Sequence, residues 1–119
     1  VFAVPAVKGI EFGLGFGFGS AYGHAVNDEM RMEDGKPVSM TNYNGGILGG
    51  ISSGMPIVFQ AAIKPTPSIA REQKTVDMEK LEDASIRIKG RHDPCILSRA
   101  AVVLEAAAAL AISEAMLDR

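Results

Sequence analysis

Gly90-Arg91-His92-Asp93-Pro94-Cys95 separates a polar, strand-like run from the alanine-rich stretch AAVVLEAAAALAISEAML over residues 100–117. Upstream, the apolar residues come in short runs with a partial alternation, the mark of strands. Downstream there is no Gly or Pro, and Val103, Ala106, Ala107, Leu110, Ser113, Ala115 and Leu117 mark an apolar side broad enough for a buried helix. Strands followed by one long helix predict an α+β fold with mainly antiparallel pairing. Asp93-Pro94 is itself a helix-start signal, with Asp as N-cap and Pro in the first helical position.

Working back from the hexapeptide, Ile86-Arg87-Ile88-Lys89 reads as a strand with Ile86 and Ile88 inward, and the acidic run from Thr75 to Asp83 as solvated loop. Met55 to Lys64, centred on Ile57–Ile63 and bounded by Pro56 and Pro65, is the clearest strand. Lys64-Pro65-Thr66-Pro67-Ser68 then sets an ammonium and two hydroxyls in a proline-stiffened loop, a suitable contact for an anion or simply an exposed loop. Gly45-Gly46-Ile47-Leu48-Gly49-Gly50-Ile51-Ser52-Ser53-Gly54 has too many glycines for regular structure. Its backbone either packs closely inside the fold or lies open to a flat ligand.

Nearer the N-terminus, Val7–Phe12 reads as a strand and Ser20–Met32 as containing a short helix. Glu33-Asp34-Gly35-Lys36-Pro37 reads as a turn. Gly13-Leu14-Gly15-Phe16-Gly17-Phe18-Gly19-Ser20 does not meet the dinucleotide spacing, because Phe18 and Ser20 occupy the positions of the third glycine. It reads as a close-packed backbone beside aromatic side chains, and His24 as an ordinary partly exposed histidine.

With 119 residues and no internal repeat or linker, residues 1–119 are expected to form a single domain. The formal charge of −2 leaves no basic footprint for nucleic acid. The lone Cys95 excludes an internal disulfide and suits a reducing cytoplasm. No membrane span is expected, since Glu105 and Glu114 interrupt the apolar helix. No metal site is expected either, because neighbours such as His92, Asp93 and Cys95 rarely converge on one ion. The opening Val1-Phe2-Ala3, with no start signal, reads as the interior of a longer chain.

In order, the chain presents Pro5-Ala6-Val7-Lys8-Gly9-Ile10-Glu11-Phe12-Gly13, the glycine-rich 45–54 segment, Lys64-Pro65-Thr66, the hexapeptide 90–95, Arg99-Ala100 and Glu105-Ala106. This succession resembles the C-terminal part of chorismate synthases over nearly the whole length. It departs from them at Gly23-His24, Tyr43 and Val102. The resemblance implies a β-α-β sandwich, homotetrameric in the full-length family, and a cytoplasmic lyase of the shikimate pathway. That enzyme converts 5-enolpyruvylshikimate 3-phosphate to chorismate and phosphate by a 1,4 trans elimination that requires reduced FMN. By position it implies cofactor contacts at Pro5, Ala6, Gly49, Lys64, Pro65, Thr66, Pro67, Ser68 and Arg91. It also implies catalytic roles for Arg91, between flavin and substrate, and Asp93, in proton transfer beside the flavin. The family's catalytic histidines match nothing in this chain, so the isolated segment is expected to be inactive. The competing expectation is a non-catalytic flavin- or nucleotide-binding or oligomer-assembly module, in which the glycines serve packing and the last helix subunit contact.

Overall fold

The computed structural model describes residues 1–117. The chain groups into two compact units: Phe2 with Val7–Ala62, and Val1 with Ala3–Ala6 and the chain from Ile63 onward. We call them the N-terminal and C-terminal units. The architecture is α+β, built from paired strands with a long helix at the end.

In the N-terminal unit, β1 (Val7–Phe12) pairs with β6 (Phe59–Ile63), whose last residue groups with the other unit. Their contacts descend as in an antiparallel pair: a Cβ on Gly9 would lie 3.6 Å from that of Ala62, the rings of Phe12 and Phe59 are 5.7 Å apart, and Gly13 N donates to Val58 O at 3.0 Å. Val7, on β1, is the buried apolar side chain among the described residues. Regular pairing is confined to Phe59–Ile63, shorter than the run from Met55 that the sequence suggests. Val58 N and O are instead taken by Gly45 and Gly13.

The expected helix between Ser20 and Met32 shrinks to a single turn, α1 (Gly23–Val26), and the rest of the segment does other work. Met30–Glu33 becomes β2, paired antiparallel with β3 (Lys36–Ser39). Their two-residue turn, Asp34-Gly35, has φ of 50° and 77°, the doubly left-handed signature of a hairpin turn matched to strand twist. A second tight hairpin joins β4 (Ile47–Leu48) to β5 (Ile51–Ser52) through Gly49 and Gly50, at φ 60° and 82°.

Asp28 organises the loop between these hairpins. Its Oδ1 accepts from Thr41 Oγ1 at 2.8 Å and Tyr43 N at 2.7 Å, and its Oδ2 from Asn44 N at 3.0 Å and Asn44 Nδ2 at 2.7 Å. Burial pushes this carboxyl up. The Asn44 amide and side chain, the Thr41 hydroxyl and the Tyr43 amide outweigh it and bring the pKa down to about 2. The loop so fixed is threaded tightly: Leu14 N donates to Tyr43 O at 2.7 Å, and Gly45 and Gly46 are buried. A Cβ at Gly46 would stand 2.8 Å from the carbonyl carbon of Pro56. These two glycines therefore serve internal packing, whereas a Cβ at Gly49 or Gly50 would meet nothing within 4 Å.

In the C-terminal unit, the acidic run expected as loop is a hairpin, β7 (Gln73–Asp77) against β8 (Glu82–Ile86). No residue of the pair is buried, and Val76 on one face with Ala84 and Ile86 on the other make too short an apolar pattern to mark two strands. The turn is held by the Asp77 carboxylate, which accepts from the amides of Glu79 and Lys80, each at 3.0 Å. The strand ends at Ile86, which is exposed, instead of beginning there as Ile86–Lys89 suggested.

The last element, α2 (Leu97–Leu117), starts three residues before the alanine-rich run and four after Asp93. Asp93 is thus not its N-cap. The first helical amides bond locally, Ala100 N to Ile96 O at 2.9 Å, and the Asp93 carboxylate is engaged elsewhere. None of the described residues of α2 is buried, against the expectation of a buried helix. No membrane span is expected from sequence, although by length and composition alone α2 is long and apolar enough to cross one. Glu105 and Glu114 lie within it, each costly in hydrocarbon, and interior helices of soluble folds meet the same criterion.

Candidate functional site

The C-terminal unit gathers most of the residues that the sequence singles out. Lys64 N donates to Ala6 O at 2.7 Å, which brings the Pro5-Ala6 corner to the start of the Lys64–Ser68 loop. Ala6 adopts φ 69°, a left-handed conformation uncommon for a residue with a Cβ. Such strain at about 1–3 kcal/mol persists where surrounding structure fixes it, and it gathers at ligand sites. Ala6→Val, which puts a branched side chain on this backbone, is expected to lower stability by about 1–3 kcal/mol in thermal denaturation, whereas Ala6→Gly is neutral or mildly stabilising.

A cavity of about 190 Å3 opens between Lys64-Pro65-Thr66 and Pro94-Cys95 with the first residues of α2. Two segments some thirty residues apart in sequence thus share one wall. A second cavity, of about 250 Å3, is lined by Pro5, Ile96, Arg99 and Val103 among others. Both therefore border the short loop that leads into α2.

Polar atoms in this unit stand ready for a ligand. Thr66 Oγ1 and His92 Nε2 are buried without a hydrogen-bond partner, a state that costs free energy unless something else satisfies them. Lys64 and Arg91 are exposed cations. Pro67 O accepts from Gln73 Nε2 at 3.2 Å, which ties the 64–68 loop to β7, and Ser68 is half-buried. Gly90, just before Arg91, holds φ 131°, open to glycine and rarely adopted by other residues. Asp93 Oδ2 accepts from Arg99 Nη1 at 2.6 Å.

Of the positions read from sequence, Pro5, Ala6, the 64–68 loop, Arg91 and Asp93 lie in the C-terminal unit, and Gly49 lies in the N-terminal unit at the β4–β5 turn. The partnership of Arg99 with Asp93 has no sequence signal. Their spacing of six falls on no helical or strand period, because it spans loop and helix. The Asp28 clamp was equally hidden, since its partners lie 13 to 16 residues away.

The pattern of the chorismate synthase family matches residues 1–117. The chain belongs to the chorismate synthase family. The chorismate synthase of Archaeoglobus fulgidus is 54% identical over 117 residues, covering 98% of this chain and 32% of that protein. The chorismate synthase of Thermococcus kodakarensis is 47% identical over 119 residues, covering 100% of this chain and 34% of that protein. A crystal structure of a chorismate synthase superposes with a TM-score of 0.54 at 41% identity, over 56% of this chain and 20% of that one. The chain spans about a third of the length of the curated chorismate synthases it matches.

Proposed function

We propose that this chain is the C-terminal, flavin-side third of a chorismate synthase. In the whole protein it would serve the conversion of 5-enolpyruvylshikimate 3-phosphate to chorismate and phosphate, in the shikimate route to aromatic amino acids. The observation that carries this reading is the meeting of Ala6, the Lys64–Thr66 loop and the Pro94-Cys95 segment in one unit, in a chain 54% identical to a chorismate synthase.

The residues fit the reduced FMN that such an enzyme requires. Thr66 Oγ1 is a buried polar atom without a partner, beside the cation Lys64, and a phosphorylated ligand would supply the missing acceptor. Pro5, Ala6, Lys64, Pro65, Thr66, Pro67 and Ser68 would hold the cofactor from this unit. Gly49 is the other position proposed as a cofactor contact, through a backbone that its missing side chain leaves open. Reduced FMN, when bound, supplies an electron-rich ring to an elimination with no net redox change.

In that elimination the carbon–oxygen bond to phosphate breaks, phosphate leaves as an anion and a proton is lost from the opposite face of the ring. Arg91 and Lys64 offset the anionic charge of the phosphorylated ligands. Asp93, with one oxygen held by Arg99, holds or moves the proton. The family reading also brings a homotetramer and a cytoplasmic setting, with no nucleic acid or membrane among the partners. The isolated segment would be inactive.

The unburied helix α2 favours a second reading, a non-catalytic assembly module in which this helix serves subunit contact. Phosphate release separates the two. A full-length, folded protein with reduced FMN should release phosphate from 5-enolpyruvylshikimate 3-phosphate, and an absence of turnover would sink the enzyme reading.

A further inference from the structure

Asp93 stands in a stretch without regular structure, between β8 and α2. A carboxylate that moves a proton must be held within a fraction of an ångström, and a loop alone does this poorly. The usual way to fix an Asp-Pro at this place is to use the carboxylate as a helix cap. That option is closed, since α2 begins at Leu97 and its entry amide, Leu97 N, turns to Cys95 Sγ at 3.5 Å.

Arg99 supplies the missing anchor. It sits in the first turn of α2, with its own amide bonded to Ile96 O at 3.1 Å, so its backbone belongs to a 21-residue helix and not to the loop. Its guanidinium reaches back to Asp93 through one nitrogen only, Nη1 to Oδ2 at 2.6 Å. That distance is short even for a charge-assisted bond. Oδ1 makes no hydrogen bond among the described residues, so the pair restrains the carboxylate and leaves one oxygen free. Arg99 and Pro5 also line one cavity, so the side chain that holds Asp93 borders the same space as Pro5.

We propose that Arg99 is the positioning residue for Asp93: it holds Oδ2 from the first turn of α2 and leaves Oδ1 to exchange the proton. This rests on reading Asp93 as the group that handles the proton. The ion pair contributes little to stability, because the two side chains are 75% and 48% exposed, and such pairs are worth about 0–1 kcal/mol. A positioning role and a structural role therefore separate cleanly by experiment.

The test is a double-mutant cycle in the full-length protein, with Arg99→Gln, Asp93→Asn and the double variant assayed for phosphate release, FMN affinity and Tm. Arg99→Gln should lower kcat about 10- to 100-fold, the scale of a misplaced catalytic group. It should leave KM and FMN affinity within about threefold and Tm within about 2 °C. In the Asp93→Asn background, the same change should cost less than about threefold more, because Arg99 acts only through that carboxylate. Arg99→Lys, which keeps the charge on a shorter, single-headed donor, should fall between, and it carries the cycle if Arg99→Gln does not fold.

Two results overturn the proposal while leaving the role of Asp93 intact: a slow Asp93→Asn beside a fully active Arg99→Gln, or effects that simply multiply in the double variant. Full activity in Asp93→Asn would remove the carboxylate from the mechanism, and the role of Arg99 with it.

Discussion

Asp93→Asn in the full-length protein is expected to slow phosphate release by about 10²–10⁴-fold, the usual worth of a placed general acid or base, while flavin affinity stays within about threefold. Asparagine keeps the shape and one oxygen that can still accept from Arg99 Nη1, so the loop should hold its course. What it loses is the ability to take up a proton. The alternative role for Asp93, a helix cap, predicts a different outcome: asparagine caps as well as aspartate, and neither stability nor rate would change. The structure weighs against that alternative, because α2 starts at Leu97 and the carboxylate faces Arg99. A variant that retains full turnover would remove Asp93 from the chemistry.

What could be read from the residues alone tracks how local the physics is. β1 was legible from Val7 to Phe12, and the helix from Ala100 to Leu117, because each depends on pattern within a few residues. The β7–β8 hairpin was not. Its strands pair from Gln73 with Ile86 through Asp77 with Glu82, and their apolar residues, Val76 on one face and Ala84 with Ile86 on the other, are too few to announce two strands. The β2–β3 hairpin does carry a local sign, Asp34-Gly35, which predicts the turn but not its two strands. The exposure of α2 had no sign at all. Its composition is that of a buried helix, yet none of its described residues is buried.

The glycine-rich segment shows the same division within one motif. Sequence left two options, internal packing or an open backbone, and the structure assigns them to different glycines. Gly45 and Gly46 are buried, where a Cβ would run into backbone, and Gly49 turns a hairpin in open space. Of the cofactor positions that the family resemblance marks, Ala6 and Lys64 are joined by a backbone hydrogen bond that no spacing rule anticipates: far apart in sequence, they meet at the same end of the β1–β6 pair, one just before β1 and the other just after β6.

Asp28→Asn is expected to destabilise the folded chain by about 2–4 kcal/mol, since hydrogen bonds to a charged group are each worth about 1.5–3 kcal/mol and several are lost together. The wild-type carboxylate accepts four, two at each oxygen. In asparagine one of those oxygens becomes an NH2 group that confronts other donors. The Thr41 hydroxyl can rotate away, but the amides of Tyr43 and Asn44 are fixed in the backbone. The pH dependence makes the assignment specific. Hydrogen bonding outweighs burial and lowers the Asp28 pKa to about 2, below the ordinary aspartate value near 4 that applies to the unfolded chain. The unfolded chain therefore binds the proton first as pH falls. Stability from this group is fully present above about pH 4 and is lost as pH drops through about 2. Chemical denaturation followed by circular dichroism at a series of pH values should show that loss in the wild-type chain. The Asp28→Asn chain should start lower and fall less steeply over the same window. If the two chains unfold alike at pH 7 and decline in parallel below pH 4, Asp28 does not hold the loop that leads into Gly45 and Gly46.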